Sequence, residues 1–352
     1  MQSGERIRTA AEWPARRKEW LDLILEFEYG RLPPAPPYTR GEELHTHEVP
    51  PLLNARHSQY RLVTGGERPF QFLLHLLIPP GEGPFPVALV GDDCWRDVAD
   101  DIALEVMRRG YILAEFNRVE IVPDRPRCDR TSGLYRLYPD ADFGALAAWA
   151  WGYHRCVDFL LTLDVVDAAR IAALGMSRGG KTALLAGATD DRIALTAPNN
   201  SGCGGAGCFR WRGPGCETLE VIVRVFPHWF GPRLKEFAGR EECLPFDQHA
   251  VKALVAPRAL LTTEALGDLW ANPSGTWQTH LAAREVYRFL GAEDRIGIAY
   301  RDGGHAHGLD DWKTQLDFAD WHFRGKRLAR RFDTSPFADL PPPFRWSAPV
   351  GG

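Results

Sequence analysis

The sequence predicts an α/β fold in which helices cover both faces of a mostly parallel central sheet. Short apolar runs alternate with longer helix-like segments along most of the chain, which is the pattern that successive βαβ units produce. At 352 residues and 45% hydrophobic content, the chain can bury a large core. No internal repeat or clear boundary is visible, so we expect a single domain over 1–352.

The predicted elements follow from hydrophobic periodicity. Aromatic and apolar residues at helical spacing predict an N-terminal helical segment within 1–35, and Gly65-Gly66-Glu67 between two strand-like runs predicts a hairpin at the sheet edge. Short all-apolar runs are typical of strands buried on both faces. The predicted strands are 57–64, 70–78, 87–90, 111–116, 171–174, 193–197, 259–263 and 296–300. Helices are predicted at 98–109, 143–163, 276–290 and 310–323, and directly after Ser177.

Three segments lack a regular pattern. Residues 117–142 form a charged, Pro-containing loop that is longer than a simple connection needs. The segment 199–247, after the sixth predicted strand, is rich in Trp, Phe, Gly and Pro, and we expect a lid-like insertion there. Residues 326–352 are rich in Pro and Arg and predict a C-terminal tail that follows the surface.

Composition excludes several classes of partner. The net charge is −4 and no Lys/Arg-rich block occurs, so we expect no nucleic acid partner. No apolar run is long enough to cross a bilayer, so we expect no membrane partner. The seven cysteines include no Cys-x-x-Cys pair, and the spacing of Cys203, Cys208 and Cys216 matches no zinc pattern. We therefore predict no metal or cofactor, and buried thiols or at most one disulfide.

Residues 170–185 carry the motif around which the chain is organised. A short apolar run leads into Gly175-x-Ser177-x-Gly179, and good helix formers follow. This pattern is typical of a nucleophile elbow, a sharp strand-to-helix turn that lifts a serine hydroxyl above a parallel sheet. The N-terminus of the new helix points its positive dipole end toward negative charge that develops near the serine.

The same residues also match a phosphate-binding loop. Gly175-x-x-x-x-Gly180-Lys181-Thr182 satisfies the Walker A pattern, which predicts a nucleotide hydrolase as the alternative. Such a loop usually opens its domain and needs an acidic residue that ends another strand to hold magnesium. Here four predicted strands come first, and only Glu264 lies at a strand end. The sequence therefore favours the hydrolytic serine.

A serine hydrolase also needs an acid and a histidine downstream, in that order. Asp268 lies in the loop after one predicted strand, and His305 lies in a Gly-Gly-His turn after the last one. We predict that Ser177 attacks a carbonyl, that His305 transfers its proton, and that Asp268 orients the imidazole. Glu264 is the alternative to Asp268, and His307 is the alternative to His305.

The motif Gly175-Met176-Ser177-Arg178-Gly179-Gly180-Lys181 resembles the Gly-x-Ser-Arg-x-Gly-Lys signature of glucuronoyl esterases, carbohydrate esterase family 15. The resemblance continues through 201–210, through Asp268-Leu269-Trp270 and to His305. It implies an α/β-hydrolase that cleaves esters between 4-O-methyl-glucuronic acid on xylan and lignin alcohols, through an acyl-enzyme and without a metal. An acetyl-xylan or other carbohydrate esterase on the same scaffold is the alternative.

Site roles follow from the resemblance one residue at a time. It implies that Arg178 stabilises the oxyanion and that Lys181 binds sugar hydroxyls. It further implies that Trp270 packs against the sugar and that Glu217, in the lid-like insertion, contacts it. We expect a monomer. The family implies a secreted or periplasmic protein, whereas 1–6 lacks the apolar core of a signal peptide, so the sequence assigns no compartment.

One position departs from the family pattern. Many members carry the acid of the triad immediately before Ser-Gly-x-Gly-Gly, where this sequence has Asn200. A neutral amide cannot stabilise an imidazolium as a carboxylate does. We therefore assign the acid to Asp268, the position that typical α/β-hydrolases use.

Overall fold

The computed structural model describes residues 6–66, 69–92, 98–126, 130–328, 330–342, 344 and 346–348. Within these residues one sheet contains nine strands: β1 Thr39–Val49, β2 Ala55–Thr64, β3 Phe70–Ile78, β4 Phe85–Val90, β5 Ile112–Phe116, β6 Val166–Met176, β7 Leu195–Asn199, β8 Ala259–Ala265 and β9 Ile296–Arg301. Their order is β1-β2-β3-β5-β4-β6-β7-β8-β9. The pairs from β1 to β5 are antiparallel, and those from β5 through β4 to β9 are parallel.

Helices cover both faces of this sheet. They are α1 Trp13–Ile24, α2 Asp100–Arg108, α3 Arg118–Ile121, α4 Ala145–Leu160, α5 Arg178–Thr189, α6 Leu219–Val225, α7 Gln248–Val255, α8 Pro273–Phe289 and α9 Leu309–Arg324. On one face α1, α4, α5, α7 and α8 enclose the larger apolar cluster, and on the other α2 and α9 enclose the smaller one. The predicted α/β architecture with a mostly parallel sheet is confirmed.

The strand β1 is missing from the sequence-based prediction. It pairs with β2 along its length, so the predicted hairpin of β2 and β3 is confirmed, but its position at the sheet edge is wrong. Side chains of β1 are mostly exposed on both faces, and even Leu44 is 38% exposed. Such a strand carries no apolar alternation, so periodicity cannot detect it. The predicted insertion consequently follows the seventh strand, not the sixth.

The irregular segments contain short helices that the sequence did not predict. The segment 199–247 contains α6, whose N-cap Thr218 accepts a hydrogen bond from the Val221 amide. It leads directly into α7, which was also not predicted. The long loop 117–142 contains α3 and a 3-10 turn at Gly133–Arg136, and its residues 127–129 lie outside the described part. Elements this short offer too few turns for a periodic signal.

Both ends of the chain pack against the α/β core. α1 continues as a π-helical turn, Leu25–Tyr29, which is followed by the C-cap residue Gly30. In the tail, Phe332 is buried and its carbonyl accepts a hydrogen bond from the Ile298 amide of β9 at 2.7 Å. Parts of both predicted segments, namely 1–5, 329, 343, 345 and 349–352, lie outside the described residues.

A buried tyrosine of α4 connects the strand ends beneath the predicted elbow. The Gly91 amide, just after β4, donates to Tyr153 Oη at 2.8 Å. That hydroxyl in turn donates to the Leu174 carbonyl of β6 at 2.7 Å. Because the carboxyl ends of parallel strands meet at one edge of the sheet, this contact stabilises the edge at which ligands bind in such folds.

Candidate active site

Ser177 occupies the sharp turn between β6 and α5. Its backbone has φ 56° and ψ −121°, a region that residues with a side chain rarely adopt. The Ser177 amide donates to the Asn199 carbonyl of β7 at 2.9 Å, and α5 begins at the next residue. The turn therefore has the backbone geometry of a nucleophile elbow.

The glycines of the motif are required by close contacts. A Cβ at Gly175 would lie 2.4 Å from the Gly179 carbonyl oxygen, and one at Gly179 would lie 1.4 Å from Asp92 Oδ1. The other oxygen of Asp92 accepts a hydrogen bond from the Met176 amide at 2.9 Å. The loop after β4 therefore packs directly on the turn, and this packing leaves no room for side chains at either glycine.

His305 and Asp268 follow β9 and β8, and the structure brings them together. His305 Nδ1 lies 2.5 Å from Asp268 Oδ2. Because an ionised carboxylate can only accept, His305 donates this hydrogen bond from Nδ1, which leaves Nε2 for another partner. The Asp268 side chain is 5% exposed and that of His305 is 43% exposed. The pair thus combines a buried acid with an accessible imidazole.

The two alternative residues have other contacts. His307 Nε2 lies 2.9 Å from Gln315 Oε1, and its ring stacks on Trp312. Burial lowers the pKa of His307, although the hydrogen bond to Gln315 opposes that shift. Glu264 is fully buried and accepts a hydrogen bond from Thr276 Oγ1 at 3.1 Å. Burial raises the pKa of Glu264 to about 8, against the opposing charge of Lys252.

Asn200 lies beside the loop that carries the histidines. Its Nδ2 donates to the Ala306 carbonyl at 3.0 Å, and its Oδ1 accepts from the Ala265 amide at 2.7 Å. Nδ2 also donates to Asn199 Oδ1 at 3.0 Å. Of these three contacts a carboxylate could reproduce only the one with the Ala265 amide, because a carboxylate has no N–H to donate.

Arg178 lies directly after Ser177, and its guanidinium contacts a carboxylate and two aromatic rings, those of Trp229 and Phe226. Nη1 donates to Asp124 Oδ2 at 2.7 Å, and the cation lies 5.1 Å from the ring centroid of Trp229. Asp124 also accepts from His228 Nε2 and from the Trp229 indole, each at 2.8 Å. Burial raises the pKa of Asp124, but these three hydrogen bonds outweigh it and hold that pKa well below its usual range.

Lys181 and Glu217 form a second group of charged side chains, and both are buried. Lys181 lies one helical turn after Ser177, and Glu217 lies in the 199–247 segment. Lys181 Nζ donates to the Ser201 carbonyl at 2.5 Å and lies 5.7 Å from the Trp229 centroid. Burial lowers the pKa of Lys181, and the charge of Glu217 opposes the shift. Burial likewise raises the pKa of Glu217, and the charges of Lys181 and Arg178 oppose it. Oε1 of Glu217 has no hydrogen-bond partner within the described residues.

Trp270 lies beside this charged group with its side chain open to solvent. It is 52% exposed, whereas Glu217 is 6% exposed. The Glu217 amide donates to the Trp270 carbonyl at 3.1 Å, which places the two residues side by side. An exposed indole beside buried polar groups offers an apolar face next to hydrogen-bonding partners, an arrangement that suits a sugar ring.

A cavity of about 590 Å³ opens beside Ser177. Ser177, Arg178 and His305 all line it, so the predicted nucleophile, base and oxyanion cation share one solvent space. Its other lining residues are Val90, Asp92, Val98, Ala99, Ile102, Arg118, Val119, Asp124, Met176, His307 and Trp312. Lys181, Glu217 and Trp270 lie outside this set, toward the 199–247 segment.

Sequence reasoning missed two residues of this site, Asp124 and Trp229. Both come from irregular segments, where no motif marks an individual position. The signals that were available were general: the loop 117–142 is longer than a connection needs, and 199–247 is rich in aromatic residues. Neither signal identifies which acid or which indole contacts Arg178.

A mostly parallel sheet with a serine in the turn between β6 and α5 defines an α/β-hydrolase fold. A family model described as "Glucuronyl esterase, fungi" matches residues 62–291. Carbohydrate esterase MZ0003, from an unknown prokaryotic organism, is 40% identical over 63% of this chain, and the 4-O-methyl-glucuronoyl methylesterase of Podospora anserina is 31% identical over 87%. The chain belongs to the glucuronoyl esterase family.

The similarity extends to solved structures. A carbohydrate esterase family 15 glucuronoyl esterase from Caldicellulosiruptor kristjansonii superposes with a TM-score of 0.84 at 32% identity, covering 96% of this chain and 93% of that one. The chain spans 56% and 62% of the length of the two relatives named above. The alternative of a nucleotide hydrolase is wrong, because the chain belongs to an esterase family.

Two expectations from composition can be compared with the described residues. None of the helices described there is both long and apolar enough to span a bilayer. The cysteines within that part of the chain, Cys156, Cys203, Cys208, Cys216 and Cys243, are all free thiols. The remaining two, Cys94 and Cys128, lie outside it.

Proposed function

We propose that this protein is a serine carboxylester hydrolase that cleaves esters of 4-O-methyl-glucuronic acid, as in the linkages between xylan and lignin alcohols. Membership of the glucuronoyl esterase family supports the reaction. The observation that carries the proposal is the 2.5 Å contact of His305 with Asp268 in a cavity that both His305 and Ser177 line. These residues provide a nucleophile, a base and a buried orienting acid.

In the first half of the reaction the serine forms an acyl-enzyme. His305 Nε2 accepts the proton of the Ser177 hydroxyl while Oγ bonds to the ester carbonyl carbon. Asp268 fixes the tautomer with the proton on Nδ1 and stabilises the imidazolium. The proton then passes from His305 to the departing alcohol as the carbon–oxygen bond breaks, and the uronoyl group remains on Ser177.

In the second half water releases the acid. His305 takes a proton from the water, whose oxygen attacks the acyl carbon, and returns the proton to Ser177 Oγ as that bond breaks. Negative charge develops on the former carbonyl oxygen in both halves. Arg178 and the N-terminus of α5 stabilise that charge, and removing one such donor typically costs about 3 to 4 kcal/mol in the transition state.

The uronate ring occupies the side of Ser177 that faces the 199–247 segment. Lys181 and Glu217 offer a buried donor and acceptor to sugar hydroxyls, and Trp270 provides an apolar face for the ring. The buried Glu217 oxygen without a partner supports this assignment, because a ligand hydroxyl would satisfy it. The alcohol portion then leaves through the cavity on the other side.

The test is hydrolysis of benzyl glucuronate by the wild type and two variants. Ser177→Ala removes the nucleophile, and Asp268→Asn leaves the imidazole in the wrong tautomer, so we expect each to lower kcat by about 10³-fold or more. Glu264→Gln is the matched control. Thr276 can still donate to the side-chain oxygen of a glutamine at position 264, and the Glu264 side chain does not contact His305. We expect it to retain turnover within a few-fold.

Acetylated sugars separate the uronate esterase from an acetyl-xylan esterase on the same scaffold. If the wild type cleaves acetylated sugars but not benzyl glucuronate, the substrate assignment is wrong. If Glu264→Gln loses as much activity as Asp268→Asn, the assignment of the acid is wrong.

A further inference from the structure

The Asp124 side chain connects the start of α5 with the 199–247 segment. It lies in the loop after β5, between α3 and the residues outside the described part. Its carboxylate accepts hydrogen bonds from Arg178, at the start of α5, and from His228 and Trp229, in the 199–247 segment. Its side chain is 11% exposed, so these contacts are largely shielded from water.

The arrangement requires both carboxylate oxygens. Arg178 Nη1 contacts Oδ2, whereas the Trp229 indole contacts Oδ1. Guanidinium and indole N–H groups can only donate, so each needs an acceptor of its own. An amide at position 124 has one acceptor oxygen and would direct its N–H₂ group at either Arg178 or Trp229, donor against donor.

Trp229 contacts both Arg178 and Lys181, the second of which lies on the side of the site proposed to bind the sugar. Its ring stacks on Phe226 with centroids 3.9 Å apart and an interplanar angle of 3°. The Arg178 cation lies 5.1 Å from the Trp229 centroid, and Lys181 Nζ lies 5.7 Å from it. The Arg178 and Lys181 cations, which have separate proposed roles, therefore contact one indole. Asp124 accepts a hydrogen bond from the N–H group of that indole.

We propose that Asp124 is a positioning residue that holds the Arg178 guanidinium toward the oxyanion formed at Ser177. The proposal rests on the proposed function, because it assigns Asp124 a role through Arg178 in that reaction. The Arg178 side chain is 38% exposed and has several rotatable bonds, so without an anchor it would sample many conformations. A charge-assisted hydrogen bond removes that freedom before substrate binds.

The anchor leaves most of the arginine available. A guanidinium carries five N–H groups, and Asp124 engages Nη1 alone. The carboxylate partly offsets the positive charge, which weakens the pull of Arg178 on an oxyanion. A fixed donor in the right direction outweighs that loss, because a misplacement of about 1 Å in such a site can cost about 100-fold in rate.

The test compares Asp124→Asn with the wild type on benzyl glucuronate and in the rate of labelling of Ser177 by a serine-directed phosphonate. We expect kcat to fall about 10- to 100-fold with KM nearly unchanged, because the oxyanion exists only in the transition state. Labelling should slow by a similar factor, since the phosphonate adduct also carries an oxyanion. Asp124→Glu keeps two acceptor oxygens and should recover part of the loss.

Two further variants separate positioning from a general structural effect. In the Arg178→Ala background, Asp124→Asn should lower kcat by less than about threefold, because its effect acts through Arg178. Asp190→Asn is the matched control. This variant breaks the contact between the Asp190 carboxylate and Arg192 at the far end of α5. The exposed fractions of these two side chains, 7% and 39%, are similar to those of Asp124 and Arg178. The variant should leave kcat and labelling unchanged.

The outcomes distinguish the two proposals. If the wild type hydrolyses benzyl glucuronate and Asp124→Asn matches it, Asp124 has no positioning role although the proposed function stands. If Asp124→Asn is equally damaging with and without Arg178, the effect is structural and the positioning role is wrong. If the wild type does not hydrolyse the ester but Asp124→Asn slows labelling, the substrate is wrong and the positioning role stands. A serine that is never labelled overturns both.

Discussion

At the scale of single residues, one amide group connects two strand ends with the loop that carries His305. Asn200 follows β7, accepts from the Ala265 amide at the end of β8 and donates to the Ala306 carbonyl. It is 1% exposed and has a positive φ of 41°. At this position the chain therefore uses donor and acceptor atoms together.

Asn200→Asp should lower the activity although it changes one atom. The carboxylate can still accept from Ala265, but it faces the Ala306 carbonyl without a proton to share, so the loop beside His305 loses its contact. We expect kcat/KM on benzyl glucuronate to fall about tenfold. Steady-state kinetics measure the change.

Asn117→Asp is the matched control for that prediction. Asn117 caps α3, and within the described residues its side chain makes one hydrogen bond, in which its oxygen accepts from the Val119 amide. A carboxylate can accept the same hydrogen bond, so this variant should keep the activity of the wild type. Full activity in Asn200→Asp would show that the Ala306 contact does not orient the catalytic loop.

At the scale of elements, α4 stabilises the edge of the sheet at which the site lies. Nearly every side chain of α4 is buried, so it packs between the sheet and neighbouring elements. Its Tyr153 hydroxyl accepts from the Gly91 amide and donates to the Leu174 carbonyl. One hydroxyl therefore links the end of β4 to β6, three residues before Ser177.

Tyr153→Phe should lower both stability and turnover. The change leaves a buried amide and a buried carbonyl without this partner, which we expect to cost about 2 to 4 kcal/mol in the free energy of unfolding. Because the unpaired groups lie beneath the elbow, kcat should also fall several-fold. Urea unfolding and turnover of benzyl glucuronate measure the two effects.

Tyr287→Phe provides the comparison. Tyr287 is also buried, and in the part of the chain that the structure describes its hydroxyl makes one hydrogen bond, to the Arg258 carbonyl at 3.0 Å, away from the elbow. We expect a loss of about 1 kcal/mol and unchanged turnover. If Tyr153→Phe behaves like Tyr287→Phe in both measurements, the link between β4 and β6 does not support the site.

At the scale of the whole molecule, buried histidines contribute to how stability responds to acid. Burial lowers the pKa of His154 to about 4; the charge of Asp190 opposes this shift, and the charge of Arg155 adds to it. Burial also lowers the pKa of His57, His75 and His322 to about 4. In the unfolded chain an imidazole has a pKa near 6.5. The unfolded state therefore binds more protons between these two values.

The contribution of these histidines to the free energy of unfolding should fall as the pH decreases from about 6.5 to 4. Glu28 and Glu264, whose pKa burial raises to about 8, contribute in the opposite direction in that window. Each such histidine contributes up to about 1.4 kcal/mol per pH unit in that window, and no further change above pH 6.5, where both states are neutral. His154→Gln should reduce the slope by one such contribution. Urea unfolding at a series of pH values measures it.

His45→Gln, at an exposed position on the edge strand, should change the slope less than His154→Gln does, because the charge of His45 is only a minor cause of the lowered pKa of His57. An unchanged slope in His154→Gln would contradict the buried, neutral state of His154.

The sequence by itself determined the parallel core strands, the helices that are long enough to show a period, and the serine turn. In these segments the burial of apolar side chains and the close packing of Gly175 and Gly179 restrict which residues can occur. It also supplied Asp268 and His305 as candidates, because residues that follow parallel strands gather at one edge. The strand β1 and the short helix α7 could not be predicted, because an exposed edge and two turns of helix leave little hydrophobic pattern.

Only the tertiary structure decided which side chains meet. The sequence left Glu264 and His307 open, and packing directs one to Thr276 and the other to Gln315. Asp124 and Trp229 are each more than 50 residues away from Ser177 along the sequence. No local motif identifies either of them. Such contacts depend on how loops from different strands fold over one edge of the sheet, and that geometry comes from the packed core as a whole.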